Sequence, residues 1–157
     1  MEKTIFGNFT SIAILQTSIL FNSTSNEGGG IYLSNSTQFP RFENSILWGN
    51  TAGATDNQIY RADGVLDVSY CDVQGGYSGT ANINSDPMFV DIEVFDFNLQ
   101  SVSPCINAGN QDSPQDPDSS ITDIGRYHFP MGEFVDEFGI TSIVDVPADN
   151  GRDVILS

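Results

Sequence analysis

Short apolar bursts, each followed by polar residues, recur along the first half of the chain. Ser-Ile-Leu-Phe at 18–21 returns as Ser-Ile-Leu-Trp at 45–48, and a looser copy, Ser-Tyr-Cys-Asp-Val, occupies 69–73. Between them, Ile-Tyr at 31–32 returns as Ile-Tyr at 59–60. The repeating unit is therefore roughly two dozen residues long, with two or three apolar bursts in each unit.

The bursts alternate in the manner of strands. In VLDVSYCDV, residues 65–73, apolar and polar positions alternate, imperfectly, with a period of two. β-branched and aromatic residues dominate the bursts, turn-forming residues dominate the gaps, and no window has the length and spacing of an amphipathic helix. We predict an all-β fold, a right-handed parallel β-helix of about three to four coils with an irregular C-terminal cap.

Stacked coils place equivalent residues above one another. Alignment of the two Ser-Ile-Leu bursts predicts two vertical pairs, Ile19 over Ile46 and Leu20 over Leu47. Asn22 and Asn50, at the ends of equivalent bursts, are predicted to stack as an asparagine ladder. The triple glycine at 28–30 then forms a corner that needs positive φ. A phosphate-binding loop is disfavoured there, because no Lys follows the glycines and no helix begins after them.

Charge excludes several classes of partner. Five basic residues face 21 acidic ones, for a formal net charge of −16. Binding to nucleic acid, or to an anionic membrane surface, needs Lys and Arg that this chain lacks. No apolar stretch reaches the ~18 residues of a membrane span. Residues 11–21, SIAILQTSILF, make a poor signal peptide, so we expect the signal of an exported protein to lie outside this chain.

The motifs NSILWGN, SYCDVQGGY, NINSDPMFVD, SPCINAGN and TDIGRYHF occur in that order. Over roughly residues 10–130 the chain resembles the C-terminal part of exported bacterial right-handed parallel β-helix repeat proteins, in the group whose helix ends with a choice-of-anchor module. The resemblance implies a secreted or surface-displayed protein. Some relatives by fold cleave acidic polysaccharides, but a fold does not determine an activity.

The tail differs from the repeats. Residues 138–157, FGITSIVDVPADNGRDVILS, resemble the opening of a fibronectin-type-III-like module: a strand, a turn and a second strand. We expect coils at 1–81, a cap with an acidic loop at 82–130, and a linker with a truncated β-sandwich module at 131–157. The chain is expected to be a fragment, and an uncapped N-terminal coil would permit end-to-end self-association.

The segment 110–125, called here the acidic loop, is the candidate metal site. Its four aspartates, Asp112, Asp116, Asp118 and Asp123, supply the oxygen ligands that calcium prefers. The loop lacks the central Gly and terminal Glu of an EF-hand, and the DxDxxxxDIG pattern is a common end of the cap in the resembled family. The alternatives are a calcium site and a solvated turn in which Asp and Pro fit well.

Cys71 and Cys105 are the only cysteines. In an exported protein they are expected to form a disulfide that joins the cap to the last coil, and the alternative is two buried thiols. The single histidine, His128, lies in another segment and is expected to be a packing or surface residue. One His and two Cys are too few for a usual zinc site.

No catalytic constellation is evident. The five basic residues do not share a register, and Asp67 and Asp72 would face opposite sides of one strand. The first hypothesis is a non-catalytic stalk, adhesive or carbohydrate-facing module. In that case Tyr32, Tyr60 and Tyr77 would stack on sugars or pack at corners. The alternative is the remnant of a polysaccharide lyase or glycoside hydrolase whose groove lies on coils upstream. An arginine or lysine beside acids on one sheet would favour the enzyme.

Overall fold

The structure, a computed structural model, describes residues 12–34, 39–55 and 57–131, together with the strands at 143–145 and 154–156. Within these residues the chain is all-β, as predicted, and contains no helix. The strands are β1 (Ala13–Leu15), β2 (Ser18–Leu20), β3 (Ser23–Thr24), β4 (Ile31–Leu33), β5 (Arg41–Glu43), β6 (Ile46–Trp48), β7 (Thr51–Ala52), β8 (Ile59–Arg61), β9 (Asp67–Ser69), β10 (Asp72–Val73), β11 (Phe89–Asp91), β12 (Asp96–Leu99), β13 (Ile143–Asp145) and β14 (Val154–Leu156).

Strands from successive repeats pair in parallel. β5 lies between β1 and β9, β6 lies between β2 and β10, β7 pairs with β3, and β8 pairs with β4. Tyr32 lies opposite Tyr60, an offset of 28 residues (60 − 32), and Arg41 lies opposite Asp67, an offset of 26 (67 − 41). Consecutive strands of one repeat therefore belong to different sheets, and each sheet grows by one strand per repeat.

The chain turns at equivalent positions in successive repeats, in the left-handed region of φ. The residues between the first and second strands have φ of 46°, 51° and 52°: Gln16, Asn44 and Tyr70. The residues after the second strand have φ of 52°, 69° and 85°: Phe21, Gly49 and Gly75. Such a φ disfavours β-branched residues, and none stands at these six positions.

The apolar side chains form two clusters. The first contains Phe42, Leu47, Ile59, Val68, Cys71 and Val73. The second contains Ile46, Phe89, Leu99, Cys105 and Ile124. Ile46 and Leu47 are neighbours in β6 with 1% and 0% exposure, so this strand is buried on both faces, between the repeats and the C-terminal segment.

The predicted vertical pairs of β2 and β6 are wrong by one residue. Ile19 lies opposite Leu47 and Leu20 lies opposite Trp48. The asparagine ladder is confirmed, because Asn22 Nδ2 donates to Asn50 Oδ1 at 2.9 Å. The Ser-Ile-Leu burst recurs after 27 residues, whereas β2 and β6 pair at an offset of 28 (46 − 18), so the repeated motif lies one position out of register. The ladder asparagines share the offset of 28 (50 − 22).

Two further local predictions need correction. Residues 65–73 are not one strand, because the corner at Tyr70 separates β9 from β10 and interrupts the alternation. Among the three glycines only Gly28 has positive φ, 67°. Gly29 and Gly30 are needed for close approach: a Cβ would lie 2.5 Å from Thr51 O in the first case and 2.6 Å from Gln58 O in the second.

The segment that follows β10 folds back on the sheet formed by β2, β6 and β10. Asp72 forms a parallel bridge with Ile83, and β11 and β12 are antiparallel, with Phe89 opposite Leu99. In the tail, β13 and β14 are antiparallel, as the predicted strand–turn–strand requires, with Ile143 opposite Leu156. Residues 146–153, predicted as a turn, and residues 1–11, part of the expected N-terminal association surface, lie outside the described residues.

Candidate functional site

Two tyrosines from adjacent repeats stack on the outer face of the β4–β8 sheet. Alternation along β8 directs Ile59 into the first core cluster and Tyr60 outward. The ring centroids of Tyr32 and Tyr60 are 5.2 Å apart, with an angle of 19° between the planes, and Tyr32 is 54% exposed. Tyr77 differs, because it packs against the first core cluster.

A chain of amide side chains crosses the repeats next to this sheet. Asn50 Nδ2 donates to Gln58 Oε1 at 2.6 Å, and Gln58 Nε2 donates to Gln74 Oε1 at 3.0 Å. Asn50 Nδ2 also donates to Ile19 O at 2.8 Å, and Asn50 Oδ1 accepts from Asn22 N at 3.0 Å. Asn50 and Gln58 are buried, so these bonds satisfy groups that water does not reach.

A notch of about 630 Å³ lies at the end of this amide chain. We use "the notch" for the concavity between Thr51 and Asn57–Ile59 on one side and Val73–Tyr77 on the other, with Gly49 and Asn50 at its end. It arises because β3–β7 and β4–β8 have two strands each, whereas the sheets ending in β9 and β10 have three. After Val73 the chain turns at Gly75 and Gly76, and a Cβ on either would meet nothing within 4 Å.

The aspartates of the acidic loop hold backbone amides. Asp123 accepts from Asn107 N at 2.7 Å and from Phe129 N at 2.6 Å, one with each carboxylate oxygen. Asp116 Oδ2 accepts from Asp123 N at 2.9 Å. Asp118 accepts from the hydroxyl and backbone N–H of Ser120 and from the backbone N–H of Met131, which lowers its pKa to about 2.

The fourth aspartate of the predicted site, Asp112, is exposed and its backbone N–H donates to Asn110 Oδ1 at 3.0 Å. In the described part of the chain, no three His, Cys, Asp or Glu side chains converge on a point where they could hold a metal ion. Calcium binding by the acidic loop stays a prediction. The carboxylates of Asp116, Asp118 and Asp123 accept hydrogen bonds from the protein itself, and these bonds explain why aspartates stand at the three positions.

The acidic loop docks on the first corner of the repeats. Asn44 Nδ2 donates to Ser113 Oγ at 3.0 Å, and Asn110 N donates to Asn44 Oδ1 at 2.8 Å. Gln16 Nε2 donates to Thr122 Oγ1 at 2.6 Å. Beside these contacts is a pocket of about 230 Å³, whose lining includes the acids Asp116 and Asp123 and the basic residues Arg126 and His128. His128 is exposed, which agrees with the second of its two predicted roles, packing or surface.

The two cysteines are free and buried, so the predicted Cys71–Cys105 disulfide is not formed in the structure. They belong to different core clusters, and each thiol has its own acceptor. Cys71 Sγ donates to Ser69 O at 3.2 Å, and Cys105 Sγ donates to Asp72 Oδ2 at 3.4 Å. Burial raises the pKa of Cys71 to about 12 and also raises that of Cys105, so neither is a thiolate at neutral pH.

Asp72 is a buried carboxylate, and the sequence placed it on one face of a strand without predicting this burial. Its exposure is 0%, and burial raises its pKa to about 6. Asp72 Oδ1 accepts from Ser85 N at 3.2 Å, and Oδ2 accepts from the Cys105 thiol. The one indication of this burial in the sequence was that Asp72 stands between Cys71 and Val73, which are also buried.

One arginine lies beside acidic residues on the sheet formed by β1, β5 and β9. Arg41 Nη1 is 3.4 Å from Glu43 Oε2, and Arg41 is opposite Asp67 in the neighbouring strand. Glu43 is 6% exposed and its Oε1 accepts from Ser113 Oγ at 3.2 Å. The arginine therefore neutralises a carboxylate that the acidic loop covers.

Comparison with known proteins gives no assignment. No family model matches the chain, and neither a curated protein nor a solved structure matches it. Within the described residues no helix is long and apolar enough to cross a membrane.

Proposed function

We propose that the chain is a right-handed parallel β-helix module, secreted or displayed at a bacterial cell surface, that presents a non-catalytic, carbohydrate-facing surface. The parallel register supports the β-helix, because strands of one repeat enter different sheets and meet the same strands of the next repeat. Crossovers between parallel strands of one sheet are right-handed in nearly all proteins, which supports the proposed right hand. The resemblance to exported repeat proteins and the acidic composition support the proposed location.

The stacked pair Tyr32–Tyr60 is the observation that carries the carbohydrate hypothesis. An aromatic ring presents an apolar face against which the C–H groups of a sugar ring can pack. The pair is held in register by β4 and β8, so that its ring positions are fixed before a ligand binds. Core packing does not account for the outward direction of Tyr32, whose exposure is 54%.

The test is affinity electrophoresis of the chain in gels that contain soluble neutral or acidic polysaccharides. Retardation by at least one polysaccharide is expected, and Tyr32→Ala combined with Tyr60→Ala should weaken it about tenfold, since two ring contacts are lost at about 0.5–1 kcal/mol each. Tyr127→Ala is the matched control, because Tyr127 is exposed outside the sheet. Equal retardation of the double variant and the control would refute the role of the pair.

A second candidate function is favoured by Arg41, which lies next to Glu43 and opposite Asp67 on one sheet. This candidate is the remnant of a polysaccharide lyase or glycoside hydrolase whose groove lies on coils upstream. A lyase base needs a basic residue that is free to take a proton, whereas Arg41 is paired with Glu43. Incubation with polyuronates, with and without calcium, distinguishes the two functions, because a lyase produces unsaturated products that absorb in the ultraviolet.

A further inference from the structure

The described lining of the notch is uncharged, although the chain carries a formal net charge of −16. This lining combines amide and hydroxyl groups with the ring of Tyr77 and the apolar residues Ile59 and Val73. A volume of about 630 Å³ lies within the usual range for small-ligand sites, roughly 300–1,000 Å³. The surface is therefore polar without charge, and apolar at one side.

Gln74 is the polar group best placed for a ligand. Gly49 N donates to Gln74 Oε1 at 2.8 Å, and Gln58 Nε2 donates to the same oxygen at 3.0 Å. Both contacts use the acceptor oxygen and Gln74 is exposed, which leaves its Nε2 donor for a ligand or water. Asn57 is exposed on the opposite side, where its Oδ1 accepts from Ala52 N at 2.7 Å.

The edge of β8 adds backbone groups to this site. In the described residues β8 has β4 on one side and no strand on the other. Every second N–H and C=O of an edge strand points away from its partner, so the edge offers further donors and acceptors. These groups match the hydroxyls of a sugar, each of which can both donate and accept.

We propose that the notch binds a neutral oligosaccharide, with Gln74 and Asn57 bonding to hydroxyls and Tyr77 contacting a sugar ring. This inference rests on the proposed carbohydrate-facing function and adds its site and ligand class. A polyuronate is disfavoured, because the described lining of the notch holds no cation to pair with a carboxylate and the whole chain repels it.

The ligand class is tested with two polymers that share one backbone. Polygalacturonate is acidic, and its methyl ester is neutral. Isothermal titration of the full chain against both, and against neutral glucan and mannan oligosaccharides, should show binding only to neutral ligands. Polygalacturonate that binds as tightly as its methyl ester would overturn the neutral class.

The site is tested with Gln74→Glu. The variant keeps an oxygen for Gly49 N and Gln58 Nε2, replaces the free donor by an acceptor, and adds one negative charge. Loss of a ligand hydrogen bond should weaken the binding of neutral oligosaccharides about threefold to tenfold. Gln111→Glu adds the same charge at an exposed position outside the notch and should leave binding unchanged. Circular dichroism shows whether both variants keep the wild-type fold.

The outcomes separate this inference from the proposed function. Equal affinities of Gln74→Glu and Gln111→Glu, with weaker binding after the Tyr32 and Tyr60 substitutions, would refute the notch and leave the carbohydrate function standing. No binding of the wild-type chain to any polysaccharide would refute both. Selective weakening in Gln74→Glu, with binding of the methyl ester but not of the acid, supports the inference.

Discussion

Replacement of Asp72 by asparagine should remove a pH dependence from the stability of the fold. The carboxylate is fully buried, and burial raises its pKa from 3.8 to about 6. The native state therefore holds this proton more tightly than the unfolded chain does. Protonation stabilises the fold, so the contribution of Asp72 to stability decreases as pH rises from about 4 to about 6 and stays at its lower value above that.

The magnitude follows from the two pKa values. One pKa unit corresponds to about 1.4 kcal/mol, so a difference of about two gives roughly 3 kcal/mol between pH 4 and pH 7. The amide introduced by Asp72→Asn has no charge to bury, and its oxygen could still accept from Ser85 N. At pH 7 the variant should be more stable than the wild type by somewhat less than this figure, because the Cys105 thiol loses the carboxylate as its acceptor.

Urea unfolding at several pH values between 4 and 7 provides the assay. The fluorescence of Trp48, the single tryptophan, reports unfolding, because this residue packs against the second core cluster. The difference in unfolding free energy between Asp72→Asn and the wild type should increase with pH and level off near pH 7. Asp67→Asn, at an exposed position on β9, is the control for a change of net charge. Parallel pH profiles of Asp72→Asn and the wild type would refute the reasoning.

Three other outcomes are expected. Asn50→Ala removes four hydrogen bonds in a buried ladder and should lower the unfolding free energy by about 3 kcal/mol. Asn98→Ala, at an exposed position, should change it little, and equal urea midpoints of the two variants would contradict this prediction. Cys71 and Cys105 should be unreactive towards a thiol reagent in the native chain, and both should react after the chain is unfolded without reductant. If the unfolded chain has no reactive thiol, the two cysteines form a disulfide. Calcium added to the chelator-treated chain should leave the melting temperature unchanged, because carboxylates of the acidic loop, such as that of Asp118, already accept hydrogen bonds from protein N–H groups. A rise of several degrees would establish the calcium site predicted from the sequence.

Local features of the repeats could be predicted because they depend on residues that recur in the sequence. The Ile-Tyr repeat gave the register of Tyr32 and Tyr60 correctly, and the two asparagines gave the ladder. The Ser-Ile-Leu alignment failed because the motif recurs after 27 residues whereas β2 and β6 pair at an offset of 28, so the same residue types stand one position apart. The alternation at 65–73 is imperfect because a corner at Tyr70 separates the two strands β9 and β10.

Features that depend on distant segments could not be predicted. Asp72 is buried because Ser85 and Cys105, from a segment without any repeat pattern, cover it. The aspartates of the acidic loop have the composition of a calcium loop, and the contacts of Asp118 and Asp123 with N–H groups of other segments could not be predicted from it. The notch depends on where the chain leaves the sheets, which no local pattern near Gly75 specifies.

The departure of the chain after Val73 accounts for both the buried carboxylate and the open notch. The segment that follows covers the β10 side of the last repeat, where it buries Asp72 and Cys105, and leaves β7 and β8 without a further strand among the described residues. An open edge of parallel strands is a hazard, because other chains can pair with it. Here the edge strands are only two and three residues long, and amide side chains rather than a continuous apolar face border them. Such an edge offers another chain few backbone hydrogen bonds, and the amide side chains beside it add donors and acceptors of the kind that the proposed oligosaccharide would need.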